Sequence, residues 1–174
     1  MTGGPPEGSA GAPSRLQEEL RQNRPFRSRA QEAFLGLLRT ADLAKNRFSD
    51  LFASEDVTFQ QYNVLRILRG AGPTGLPTLE IGSRMIERTP GITRILDRLE
   101  AKGWVRRERS SQDRRQVWCR ISPGGLALLE RLDAPVDAND RAIFESMEEA
   151  DVEDLLRILD RLRDRLSDLS RASD

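Results

Sequence analysis

The chain has no histidine, one cysteine and few aromatics: six Phe, two Trp and one Tyr among 174 residues. Without histidine, the commonest general base and the commonest metal ligand are both missing. No Walker loop, GxGxxG or GxSxG occurs either, so neither catalysis nor a cofactor or metal is expected. A lone cysteine closes no internal disulfide, which fits a cytoplasmic protein. No apolar run approaches the roughly 18–20 residues of a membrane span. Met1 to Ala12 has neither the basic nor the apolar region of a signal peptide. Lysine is nearly absent, with Lys45 and Lys102 the only two among 28 basic residues.

What is present is charge, 32% of the chain, set unevenly around a net value of zero. Residues 84–120 hold eleven basic against five acidic side chains, a local excess of +6. Residues 121–174 hold seven against fourteen, a local −7. Two surfaces for different partners follow, the basic one suited to phosphate. With 5% aromatics, the composition suits a mainly helical protein whose one core needs no disulfide.

Residues 1–13, rich in Gly, Pro, Ser and Ala, read as a disordered tail. Ser14-Arg-Leu-Gln17 is a capping-box pattern opening a short helix that ends before Pro25. A long helix is expected from about Ser28 to Ala53, with Phe34, Leu37, Leu38, Ala41, Ala44, Phe48, Leu51 and Phe52 at three- and four-residue steps. Thr58-Phe-Gln-Gln61 is a second capping box, and its helix should end at Gly70. After a turn with an extended piece near Leu76, Thr78 should cap a third helix with Leu79, Ile81 and Met85 inward. Thr89 as N-cap and Pro90 at the first helical position then open a helix closed by Lys102-Gly103. On it Ile92, Ile95, Leu96 and Leu99 share one face, while Arg94 and Asp97 lie opposite, flanked by Thr93 and Arg98. Helix, short turn, helix is a helix-turn-helix.

Beyond Gly103 the period becomes alternating. Residues 104–108 and 117–121 read as two strands around a polar, arginine-bearing tip, with Cys119 buried and inert between Val117 and Ile121. Ser122-Pro123 starts a helix with Leu126, Leu129 and Leu132 inward, which Pro135 should kink or interrupt. In the last helix Val152, Leu155, Leu159, Leu162, Leu166 and Leu169 form a coiled-coil-like seam about 27 Å long. The expected organisation is N-terminal helices over residues 14–57, a winged helix-turn-helix over 58–122 and C-terminal helices over 123–174.

This succession resembles the MarR family of bacterial transcription regulators. The residues that carry the likeness are Glu80-Ile-Gly-Ser-Arg-Met85, Thr89-Pro-Gly-Ile-Thr-Arg94, Asp97-Arg-Leu-Glu-Ala-Lys-Gly103, Asp113-Arg-Arg115 and Ser122-Pro-Gly-Gly125. The resemblance implies a homodimer, joined through the terminal helices and the seam above, that binds a pseudo-palindromic double-stranded operator and acts as a repressor. By that likeness Thr89, Pro90, Gly91, Thr93, Arg94 and Arg98 approach the major groove. Arg114 and Arg115 reach the minor groove, with Asp113 orienting an arginine of the wing. Many members also sense a small aromatic ligand in a cleft, though no motif here identifies one.

Among the outward residues, Arg94 has the bidentate fork that fits guanine, and Arg98 suits phosphate. Asp97 should pair with Arg94 or with an arginine of the wing. Arg106, Arg107 and Arg109 are candidates for contact with the DNA backbone. The alternative is a winged helix used only as a protein-interaction module, which would not need the +6 block.

Overall fold

Among the described residues sixteen apolar side chains form the core, from Phe52 on the first long helix to Val136 in the C-terminal third of the chain. The computed structural model describes residues 12–87, 90–109 and 116–172. The expectations for the first eleven residues, for Thr89 and for Asp113, Arg114 and Arg115 lie outside that range. Helices dominate, with one small antiparallel sheet. The chain divides into two compact units, Met1–Asn46 and Arg47–Asp174, with the boundary inside helix α2 (Arg29–Ala53).

In the first unit Ser14 caps α1 (Arg15–Glu19) by accepting from the Gln17 amide. Its hydroxyl also hydrogen-bonds Glu32 and holds that carboxyl below its ordinary range. The α1 side chain Leu16 lies against Gly36, where a Cβ would just meet it. Further along α2, Phe34, Leu37, Leu38 and Leu43 are exposed on this single chain.

The second unit begins where α2 becomes aromatic. Phe48 and Phe52 meet Phe59, and the Phe52 and Tyr62 rings lie 4.6 Å apart. Thr58 and Gln61 form both halves of a capping box at the start of α3 (Phe59–Ala71). The helix runs one residue beyond Gly70, and Gly72, with φ 68°, closes it. A 3-10 turn at Gly72–Thr74 leads into β1 (Leu76–Pro77). That extended piece pairs with β3 (Val117–Ile121), which also pairs with β2 (Val105–Arg109), so the order is β1-β3-β2. The wing thus rests on a three-stranded sheet rather than a bare hairpin.

α4 (Thr78–Arg84) is capped by Pro77 instead of Thr78. The Thr78 hydroxyl turns away to donate to the Val117 carbonyl, which fastens the helix to the sheet. Leu79 points outward at 87% exposure. Ile81 and Met85, four residues apart, set the inward stripe, and Leu79 lies about 200° from Ile81 around so short a helix.

α6 (Pro123–Phe144) keeps the expected Ser122 cap and Pro at its first turn. Its buried stripe is Leu128, Leu129, Leu132 and Val136; Leu126 is 37% exposed, contrary to expectation. Pro135 does not interrupt the helix, and its missing amide leaves one carbonyl without an intrahelical donor. An Arg69–Asp133 pair, 2.8 and 3.0 Å, ties α6 to α3, and Arg131 reaches Glu55 at 2.7 Å. α7 (Glu149–Arg171) buries none of its residues.

Candidate nucleic-acid interface

The candidate surface is carried by α5 (Ile92–Ala101). Leu96 and Leu99 are fully buried, and Ile92 and Ile95 pack beside them. That pins the helix and turns Thr93, Arg94, Asp97 and Arg98 to the outside. The N-terminus differs from the sequence expectation. Gly91, not Thr89, is the N-cap; it sits at φ 96° and ψ 34°, and Pro90 precedes the helix. Only glycine adopts that left-handed backbone without strain. At the other end Lys102 closes the helix and Gly103 follows at φ 72°, as the sequence indicates.

Polar side chains of α3 hold the turn before α5. Asn63, buried among apolar neighbours, accepts at Oδ1 from the Ile86 amide at 2.9 Å. Gln60 donates to Glu87. At the far end the Lys102 ammonium bonds both the carboxylate and the carbonyl of Asp56 and lies 4.8 Å above the Trp104 ring.

The arginines divide into two groups. Among the described residues Arg94, Arg98, Arg106 and Arg109 form no ion pair and are exposed. Arg107 is different. Its Nη1 meets Asp97 at 2.7 Å, and its Nε and Nη2 meet Glu100 Oε2 at 2.8 and 2.5 Å. Glu100 Oε1 also accepts the Arg107 amide at 3.2 Å. Hydrogen bonding to Glu100 first, and to Asp97, raises the guanidinium pKa further against the opposing effect of burial. Arg107, expected as a candidate for contact with the DNA backbone, is held by two carboxylates of α5. Asp97 takes this strand arginine, not Arg94, as its partner. Arg120 is likewise held, by Glu108 and the Pro73 carbonyl.

A cavity of about 480 Å³ opens between α4, α5 and the sheet, lined by Pro77, Leu79, Thr93, Arg107 and Val117 among others. Cys119 is buried beside it on the sheet, and desolvation pushes its thiol pKa up, so it stays protonated and inert at neutral pH. Residue periodicity pointed to neither Asn63 nor Arg107 as a positioning residue. Asn63 is buried in α3 together with Tyr62, Val64, Leu65 and Leu68, and Arg107 is one arginine in a run of similar ones.

The model of the MarR family matches residues 57–117. A MarR transcription factor from Planctomyces limnophilus, known from its crystal structure, is 36% identical; the match covers 78% of this chain and 98% of that one, with a TM-score of 0.62. The chain belongs to the MarR family. The HTH-type transcriptional regulator FarR of Neisseria gonorrhoeae is 27% identical over 146 residues, 82% of this chain and 99% of its own length. The S. aureus MepR–DNA complex shares the fold at a TM-score of 0.68 and 21% identity, over 76% of this chain and 96% of that one. As a member of the MarR family this chain is a DNA-binding transcription regulator with a winged helix-turn-helix. No helix among its described residues is long and apolar enough to cross a membrane.

Proposed function

We propose that the protein is a cytoplasmic homodimeric repressor that binds a pseudo-palindromic duplex and is released from it by a small aromatic ligand. The outward face of α5 carries the reading. Thr93, Arg94 and Arg98 stand exposed on a helix that the core fixes from behind, and among the described residues neither arginine has an ionic partner. Arg94 reads a base, with Thr93, Pro90 and Gly91 at the groove edge and Thr89 beside them; Arg98 holds a phosphate. Arg114 and Arg115 enter the minor groove, drawn by its negative potential, and Asp113 orients one of them.

Two half-sites need two copies. Residues 58–122 serve as the DNA-binding part, and residues 14–57 and 123–174 as the dimerisation part. The seam from Val152 to Leu169 supports this: Leu162, Leu166 and Leu169 are 42–55% exposed on the single chain. The ligand reading draws support from the cavity between Leu79, Thr93 and Arg107. Its lining includes Thr93 of the DNA-facing helix, so an occupant there would compete with the groove.

Selection of bound duplexes from a random pool tests the whole reading. Enriched inverted repeats, spaced by about one helical turn, are expected. A pool that stays random, or enriches single unpaired sites, would overturn it.

A further inference from the structure

We propose that Arg107 is a positioning residue for DNA recognition: it locks the wing to α5 so that both engage DNA as one rigid body. The inference rests on the reading that the wing meets the minor groove, and adds what sets the wing's angle. β2 is the edge strand of the sheet, paired on one side only, with β3. On its open side the Arg107 amide is taken by Glu100 Oε1 at 3.2 Å, so the recognition helix itself occupies the edge. The guanidinium then closes the same joint twice over, on Glu100 and on Asp97 one helical turn earlier. Arg107 is half-buried while Arg106 and Arg109 on either side are exposed. One strand thus carries both a brace to the helix and free charge.

The electrostatic consequence points the same way. Asp97 and Glu100 would otherwise set two carboxylates beside Arg94 and Arg98 on a helix that approaches phosphate. Arg107 offsets one of these two charges from the protein side, so less negative charge opposes the outward cations. Two contact sets on one rigid frame bind more tightly than the same sets on a loose joint, because the second pays no separate ordering cost.

The experiment is footprinting of a selected operator with the full-length protein, Arg107→Gln beside wild type. Wild type should protect guanine N7 in the major groove and deoxyribose in the flanking minor grooves. Arg107→Gln should keep the first, lose the second, and bind about tenfold or more weakly. Adding Arg114→Ala and Arg115→Ala to Arg107→Gln should then cost little, although the same pair weakens wild type; Arg94→Ala should cost as much in either background. Should Arg107→Gln fail to fold, Asp97→Asn with Glu100→Gln opens the same joint from the helix side and should give the same selective loss.

Retention of flanking protection in either variant would overturn the inference. So would equal loss of both protections in a folded variant, which marks a general structural role. A further drop of about 0.9 in the salt slope when Arg107→Gln is added to Arg114→Ala with Arg115→Ala would instead make Arg107 a phosphate contact. Wild type without flanking protection would overturn the wing reading itself and this inference with it.

Discussion

The winged core and the C-terminal helix α7 are both rich in leucine and place it in opposite ways. In the core, Leu65, Leu68, Leu96, Leu99, Leu128 and Leu129 are sealed from water. On α7, Leu156, Ile158, Leu162, Leu166 and Leu169 are 42–57% exposed, and none of its 23 residues is buried. A helix of that length gains little from propensity alone and draws most of its stability from packing an apolar face. The core is finished within one chain. α7 has an apolar stripe, acids in its first turn and an arginine in its last, all that a helix needs except a surface to lie on. A second copy supplies that surface in the reading above.

The sharpest way to break the comparison is to charge the α7 stripe. Leu159→Asp with Leu166→Asp should abolish the dimer and with it operator binding, while near-ultraviolet circular dichroism of the core stays native. Burying the six seam residues against a partner would contribute on the order of 10 kcal/mol before association costs. Light scattering that still gives a dimer would place the interface elsewhere. Next in size is Leu96→Ala, which opens the core beneath α5 and should cost about 2–5 kcal/mol in denaturant unfolding. Unlike the seam variant, its loss should not shrink as protein concentration rises.

Smaller effects sharpen the picture on the surface. Arg94→Ala should cost about 1–3 kcal/mol on the operator and much less on random duplex, whereas Arg106→Ala should weaken both alike. Equal losses for the two variants in a gel-shift titration would remove Arg94 as the base reader. The smallest effect is acid stability. Hydrogen bonding to Arg69 holds the Asp133 carboxyl below its ordinary range. A depressed folded pKa gives stability that is present above the unfolded value and lost as pH falls through the folded one. Wild type should therefore lose its advantage over Asp133→Asn below about pH 4, as read by thermal melts across pH.

Much of this architecture was legible in the residues. The caps at Thr58 and Ser122, the Gly103 stop and the buried stripe of α5 follow from local chemistry that tertiary packing had no reason to oppose. The failures are as instructive. Leu79 and Leu126 looked inward because leucine usually is, but in a seven-residue helix the stripe is narrow, and in α6 two registers of leucine compete. At the turn before α5 the Thr-Pro signature was outbid by Gly91, whose left-handed backbone lets the chain enter the helix two residues later. Arg107 was legible only in part. An arginine of the wing was one of the two partners expected for Asp97, but strand alternation says neither which arginine it is nor that Glu100 waits there too.

Gly75 and Gly125 carry a consequence for how such a regulator changes over generations. A Cβ at Gly75, where φ is 69°, would collide with the Cys119 carbonyl, and one at Gly125 would collide with the carbonyl of Trp104. Neither obstacle is a side chain that could swing aside. Thr93 and Arg94 stand open to water, and in the proposed reading they are the residues that change with the operator. Gly75 and Gly125 offer no neutral substitution, so lineages that diverge in what they read should still share these two residues.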